Sequence, residues 1–233
     1  MKIGIICAMD EECEYFLQNI SVSQTKTVGK SIFYCGTTAD GKEVVLSRSG
    51  IGRSNAASVC ALMIALYDVD YVINCGIAGA LGANLHIGDI VFSTDVAYHD
   101  VDFSVFGYKK GQMAGEPERF NASSELLAKA EIASQTISEL RTKVKKGLIV
   151  SGDQFINDKA VKSEIIKNFP DALATECEGA PIAHVATNFN IPFIVIRSLS
   201  DNADENEVAT YEFNVKSASE NSAKLVLAII KML

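Results

Sequence analysis

Short apolar runs recur along the chain, and most give way to small or acidic residues and then to a helix-like stretch. Lys2–Cys7 is β-rich and apolar on both faces, as in a strand buried in a parallel or mixed sheet. After a turn at Ala8-Met9, Asp10-Glu11-Glu12 open a helix to about Gln18, with acids at its positive dipole end. Ser31–Cys35 and Glu43–Ser47 read as paired strands with Asp40-Gly41 as the turn signal. Ser49-Gly50-Ile51-Gly52 breaks the pattern before a helix over about Ser54–Tyr67. Asp70–Cys75 is the next buried strand, and Gly76-Ile77-Ala78-Gly79-Ala80 reads as a tight small-residue turn where backbone can meet a ligand. Strands follow at Ile90–Ala97, Lys146–Ser151, Ala172–Cys177 and Pro192–Arg197. Helices are predicted within Ser123–Leu140, over Lys159–Asn168, from the end of the Ala172 strand to about Thr187, and over Tyr211–Met232. The last carries an apolar stripe at Ala218, Ala223, Leu225, Ile229 and Ile230. The stretch from His99 to about Pro117 is long for a structureless connection, and its aromatics point to a lid or an interface.

Strands alternating with helices, with no repeat, low-complexity tract or linker, predict one α/β domain over residues 1–233. Its central sheet is expected to be mixed, mostly parallel and flanked by helices. Within it the segment ATECEGA, Ala174–Ala180, stands out. On a strand, Glu176 and Glu178 would share a face. Gly179 would let a ligand approach the backbone, and Pro181 suits a helix's first turn. A carboxylate at a strand-to-helix junction lies where α/β folds bind small molecules. The same pattern also fits a solvated acidic pair at a helix start.

Composition narrows the classes. A hydrophobic content of 48% and a mean hydropathy of +0.17 suffice for a sizeable core and exceed what disorder allows. The net charge of −8, with no lysine or arginine cluster to offset it, disfavours nucleic acid as a partner. The opening MKIGIICAMDEE lacks the pattern of a cleaved leader, and no apolar run is long enough to span a membrane. Cys7, Cys13, Cys35, Cys60, Cys75 and Cys177 include no C-x-x-C pair and sit mostly in apolar runs. They are expected to be reduced thiols of a cytoplasmic protein, with neither a disulfide framework nor a metal site. His86, His99 and His184 show no pairing signature, and no cofactor is expected.

Four places follow predicted strands: Met9–Glu12, Gly76–Gly79, Glu176–Glu178 and Arg197–Asp201. If those strands are parallel neighbours, the four converge at one sheet edge. The segments GIICAMDEE, SGIG, NCGIAGAL, YHDVDFSVFGY, VSGDQFIN, ATECEG, IAHV and RSLSDNAD occur in this order. Together they resemble the bacterial 5'-methylthioadenosine/S-adenosylhomocysteine nucleosidases of the nucleoside phosphorylase superfamily, over nearly the whole chain. The resemblance implies a three-layer nucleoside phosphorylase-like sandwich. It also implies hydrolysis of the bond between adenine and a 5'-thio-substituted ribose, in methionine salvage and methyl-cycle recycling.

Such a reaction needs an acid for the departing base, an anion near the cationic sugar and a positioned water, much as in glycosidases. By resemblance Asp201 would protonate adenine N7, and Glu12 would activate the water. Glu178 would accept both ribose hydroxyls, with Glu176 in the same shell and Arg197 orienting a carboxylate or the water. Phe155 would stack on the base and the Ile156 backbone would face its edge. Met9, Ile51 and Tyr211 would wall the 5'-thio group, and Ala78, Gly79, Cys177 and Ser200 would complete the binding surface. The family resemblance further implies a homodimer in which the loop with Phe103 and Phe106 closes the neighbour's pocket. Cys177 stands where the family usually has methionine, and Tyr211 where it has phenylalanine. Two alternatives stay open. Arg48 and Arg53 flank SGIG and would suit a phosphate-dependent purine nucleoside phosphorylase; the scaffold could also serve a catalytically silent nucleoside-binding protein.

Overall fold

The computed structural model describes residues 1–140, 143–203 and 207–233, with side chains left out at 207–210, 212 and 213. The strand β1 (Lys2–Cys7) runs parallel to β4 (Glu43–Arg48) on one side and to β5 (Tyr71–Ala80) on the other. All but its first residue are buried, as its two-faced apolar pattern requires. β5 in turn pairs in parallel with β10 (Phe193–Asp201) and meets β9 (Ala172–Glu176) antiparallel through Gly79–Thr175 and Ala80–Ala174. β9 is parallel to β8 (Val144–Ser151), and β8 to β6 (Ile90–Tyr98); β6 returns antiparallel to β10. The strands β5, β9, β8, β6 and β10 thus close into a ring, from which β1, β4, β3 (Ser31–Thr38) and β2 (Ile20–Val28) extend. The short β7 (Phe120–Asn121) joins β6.

Helix α6 (Glu207–Met232) lies on β10 and β5 and packs against α1 (Asp10–Asn19) and α3 (Ser124–Thr136). Helix α2 (Arg53–Tyr67) packs against α5 (Gly179–Asn188). The expected stripe of α6, from Ala218 to Ile230, is buried. Helix α4 (Lys159–Asn168) begins where predicted, because Asp158 caps it by accepting the amides of Ala160 and Val161. No helix among the described residues is long and apolar enough to cross a membrane.

Three local expectations change. Gly76–Ala80 is not a turn: it continues β5, because β10 and β9 supply backbone partners along it. For the same reason β10 extends past Arg197 to Asp201. The expected exit loop from that strand ends at Asp204, outside the described residues. Ile20–Val28, which carries no strand pattern, forms β2; its polar side chains are exposed and its pairing with β3 is made by backbone. The expected loop after His99 contains one short 3₁₀ turn, Ser104–Phe106.

Candidate active site

A cavity of about 250 Å³ opens where the C-terminal ends of β1, β5, β9 and β10 meet. The four expected places do converge there. β9 arrives differently from the others: it is no parallel neighbour of β5, but meets it antiparallel at the last two residues of β5. Met9, Glu12, Ile51, Ala78, Gly79, Phe155, Ile156, Glu176, Cys177, Glu178, Arg197, Ser200, Asp201 and Tyr211 all line the cavity. Phe103 and Phe106 do not. Phe103 packs partly buried against the core, whereas Phe106 and Val105 are among the most exposed apolar side chains.

Arg197, 1% exposed, is the centre of charge. Its Nη2 lies 2.6 Å from Asn74 Oδ1 and 3.3 Å from Glu178 Oε2, and also contacts Glu176 Oε2. Nη1 donates to the Ile77 carbonyl at 3.3 Å and lies 3.8 Å from Glu12 Oε1. Burial alone would weaken its hold on a proton; Glu176, Glu178 and Glu12 outweigh that and keep it firmly cationic. Removing one partner of such a buried pair typically costs ~3–5 kcal/mol, since the other charge is left uncompensated.

Each carboxylate has a different environment. Glu12 folds back over the start of its own helix: Oε2 accepts the amides of Ala8 at 2.7 Å and Met9 at 3.1 Å, and Oε1 accepts that of Ile77 at 3.0 Å. Burial raises its pKa, against the lowering effect of Arg197 and these three amides. Glu178 is not on the strand. β9 ends at Glu176, and Glu178 is the N-cap residue of α5, with Oε1 accepting the Gly52 amide at 2.9 Å. The pair shares Arg197 Nη2 rather than one strand face. Burial pushes Glu178 up to about 7, with Arg197 opposing and Glu176 adding to the rise. Glu176 is committed within the protein: it accepts from the amides of Glu178 and Gly179, from the Ser151 hydroxyl and from Arg197. It anchors the N-terminus of α5, where a carboxylate also meets the favourable dipole end.

Asp201 ends β10, 2% exposed. Its Oδ2 accepts the Ser200 hydroxyl at 2.8 Å and its Oδ1 the Ala203 amide at 2.8 Å, which fixes the carboxyl plane. Two glycines make the crowding possible. A β-carbon on Gly79 would stand 2.9 Å from Asp201 Oδ1 and 2.8 Å from Ala203 Cβ. One on Gly76 would overlap both Glu12 and Arg197. Their purpose is close approach, not the turn geometry expected from sequence. Across the cavity, Phe155 is half exposed and meets Tyr211 edge-on at 5.5 Å, and the Tyr211 hydroxyl donates to Met9 Sδ at 3.1 Å. The Cys177 thiol donates to the Gln154 carbonyl at 3.7 Å, and burial pushes its pKa up to about 12.

Sequence reasoning did not single out Gly52, Asn74, Ser151 or Asp153. Asn74 and Ser151 sit inside apolar strands, where a polar residue is itself a signal that something must satisfy it. Gly52 acts through its backbone, which no side-chain pattern reveals.

A mixed α/β sheet whose strand ends gather three glutamates, an aspartate and a buried arginine around a small cavity defines a class, and the family model described as the phosphorylase superfamily matches residues 2–231: the chain belongs to this superfamily. Within it the chain falls among the 5'-methylthioadenosine/S-adenosylhomocysteine nucleosidases. A relative of that name from Halalkalibacterium halodurans is 43% identical over 229 residues, covering 98% of this chain and 97% of its own. One from Shewanella pealeana is 41% identical over the full length of both. The crystal structure of the Neisseria meningitidis nucleosidase in complex with methylthio-immucillin-A superposes with a TM-score of 0.97 at 40% identity, covering 100% of this chain and 99% of that one.

Proposed function

We propose that the chain hydrolyses the N-glycosidic bond of 5'-methylthioadenosine and S-adenosylhomocysteine, releasing adenine and the 5'-thio-substituted ribose. The observation that carries this reading is the meeting of Glu12, Glu178 and Asp201, from three distant segments, on one cavity. The nucleosidase relatives support the substrate class, as does the methylthio-immucillin-A bound to the Neisseria protein.

In this reading Glu178 receives the ribose diol. Gly52 and Arg197 hold its two oxygens, each of which has a further lone pair with which to accept a hydroxyl of a vicinal diol. Its charge stabilises the oxocarbenium character that develops as the base departs. Asp201 delivers a proton to adenine N7, with Ser200 and the Ala203 amide fixing the direction of delivery. Glu12 takes a proton from the attacking water. Its raised pKa makes it a better base than a surface glutamate, and three backbone amides hold it in place. Phe155 and Ile156 hold the base, while Met9, Ile51 and Tyr211 receive the 5'-thio group.

The protein acts as a cytoplasmic homodimer in methionine salvage and methyl-cycle recycling. The exposed Val105 and Phe106 supply an apolar patch for the partner's pocket. Phosphorolysis fits less well. Arg48 pairs with Asp10 at 3.1 Å and Arg53 with Asp100 and Asp153, and neither arginine lines the cavity. A phosphate near Glu12 or Glu178 would meet like charge, costing several kcal/mol at ~4 Å in a dry site. The test is adenine release from 5'-methylthioadenosine with and without phosphate. Release in phosphate-free buffer is expected; phosphate-dependent formation of a ribose-1-phosphate would overturn the reading.

A further inference from the structure

Outside the carboxylate cluster, a second charged group sits against the rim of the cavity. Arg53, the first residue of α2, contacts Asp100 through Nη2. Its Nε lies 2.8 Å from Asp153 Oδ2, and its backbone amide donates to Asp153 Oδ1 at 2.9 Å. The Asp153 amide donates to Asp100 Oδ2 at 3.2 Å, closing the triangle. The Arg53 guanidinium also covers the Tyr98 ring at 5.5 Å, which fixes its plane.

The location gives this triangle a consequence. Asp153 begins the run Asp153-Gln154-Phe155-Ile156, all of which lines the cavity. This run has no regular secondary structure of its own to hold it. It is tied at Gly152, whose amide donates to the Glu176 carbonyl at 3.0 Å, at the Gln154 carbonyl by Cys177, and at Asp153 by Arg53. The amides of Gly52 and Arg53 are consecutive at the start of α2. The first holds Glu178 Oε1 at 2.9 Å and the second holds Asp153 Oδ1 at 2.9 Å. One peptide step therefore joins the carboxylate on the sugar side to the loop on the base side.

We infer that Arg53 and Asp153 are positioning residues that set the distance between the Phe155 loop and Glu178, and so the fit of an adenine nucleoside spanning the two. The inference rests on the proposed nucleosidase reading for its ligand. The Arg53–Asp153 pair is partly exposed, with Asp153 half exposed and Arg53 with a quarter of its side chain in solvent, so its loss is expected to cost little stability. Loss of the pair releases one side of the loop and weakens ground-state and transition-state binding alike, a KM effect more than a kcat effect.

The experiment compares Asp153→Ala, Asp153→Asn, Arg53→Ala and Arg53→Lys with the unmodified protein. Hydrolysis of 5'-methylthioadenosine, adenine binding by calorimetry and thermal midpoints are measured for each. Asp153→Ala and Arg53→Ala are expected to raise KM and the adenine Kd about tenfold, with kcat changed less than threefold and midpoints nearly unchanged. Asp153→Asn keeps an acceptor for the Arg53 amide, and Arg53→Lys keeps a cation; both are expected to recover most of the affinity. Unaltered KM and adenine Kd in both alanine variants would overturn the inference. So would a fall in thermal midpoint with no change in KM. Failure of the unmodified protein to release adenine would instead count against the nucleosidase reading, and the adenine titrations would still decide the role of the pair.

Discussion

Gly76 and Glu12 are in contact so close that no β-carbon fits between them: one built on Gly76 would lie 2.9 Å from Glu12 Cδ and overlap Arg197 as well. Because Gly76 pairs with Arg197 of β10, and β5 pairs with β1 up to Asn74 just before it, the backbone has little room to retreat. Gly76→Ala is therefore expected to displace Glu12 or Arg197. The predicted outcome is a loss of ~1–3 kcal/mol in stability, as for other overpacked cores, together with at least a hundredfold loss in kcat. Denaturant unfolding and steady-state assays on the same sample check both. A fully active Gly76→Ala protein would show that the carboxylate does not need this position.

Asp201 is held by Ser200 and by the Ala203 amide; asparagine can keep its oxygen on the Ala203 amide, while its NH2 donates to the Ser200 hydroxyl, which can turn to accept. Asp201→Asn should preserve the shape of the cavity and remove only the proton for the base. General acid catalysis contributes about 10²–10⁴-fold, so turnover should fall by that factor while adenosine-analogue binding changes little. Undiminished adenine release by this variant would refute the role of Asp201.

The parts of the fold legible in the chain were those whose residues face two buried surfaces. β1 runs where its two-faced apolar pattern puts it, whereas α4, with only Ile165 buried, also keeps the expected bounds because Asp158 caps its start. β2 was not legible, because an edge strand with polar, exposed side chains carries no burial signal. The candidate residues were read from motifs, and fourteen of the sixteen line one cavity; the remaining two, Phe103 and Phe106, were assigned to a neighbour's site, which a single chain does not contain. The resemblance puts Glu178 ahead of Glu176, but the spacing of the two acids does not say why. Glu176 and Glu178 look equivalent in sequence, yet one is consumed by α5 and Ser151 while the other keeps an oxygen edge toward the cavity. That difference arises from where β9 stops, which is set by long-range pairing with β5 and β8.

Glu178 makes stability depend on pH in a direction opposite to that of an ordinary salt-bridged acid. Its pKa rises from 4.5 to about 7 because burial disfavours the anion. A raised folded-state pKa gives a stabilising contribution that is full below pH 4.5 and is lost as pH climbs to about 7. Relative to Glu178→Gln, the unliganded protein should lose on the order of 1–3 kcal/mol across that window and stay level above it. Thermal unfolding of both proteins at a series of pH values checks this, and a difference that shrinks with rising pH would be the contrary result. The same ionisation should give kcat/KM an acid limb near pH 7, since this parameter reports the free enzyme.

Phe106 is 75% exposed and its neighbour Val105 83%, although the loop around them is well tied: Asp102 accepts from the Ser104 amide at 3.0 Å and from Lys110 Nζ at 3.0 Å. A loop that is held in place while showing two large apolar side chains to water is suited to bury them elsewhere. If that place is the neighbour's cavity, Phe106→Ser removes an apolar wall from a site in which the substituted residue does not itself lie. The expected result is a dimer that dissociates at lower dilution and a KM for 5'-methylthioadenosine raised about tenfold, from ~1–3 kcal/mol of lost burial. Sedimentation velocity and steady-state kinetics read the two effects separately. A variant with unchanged association and unchanged KM would mean that the loop serves neither the interface nor the pocket.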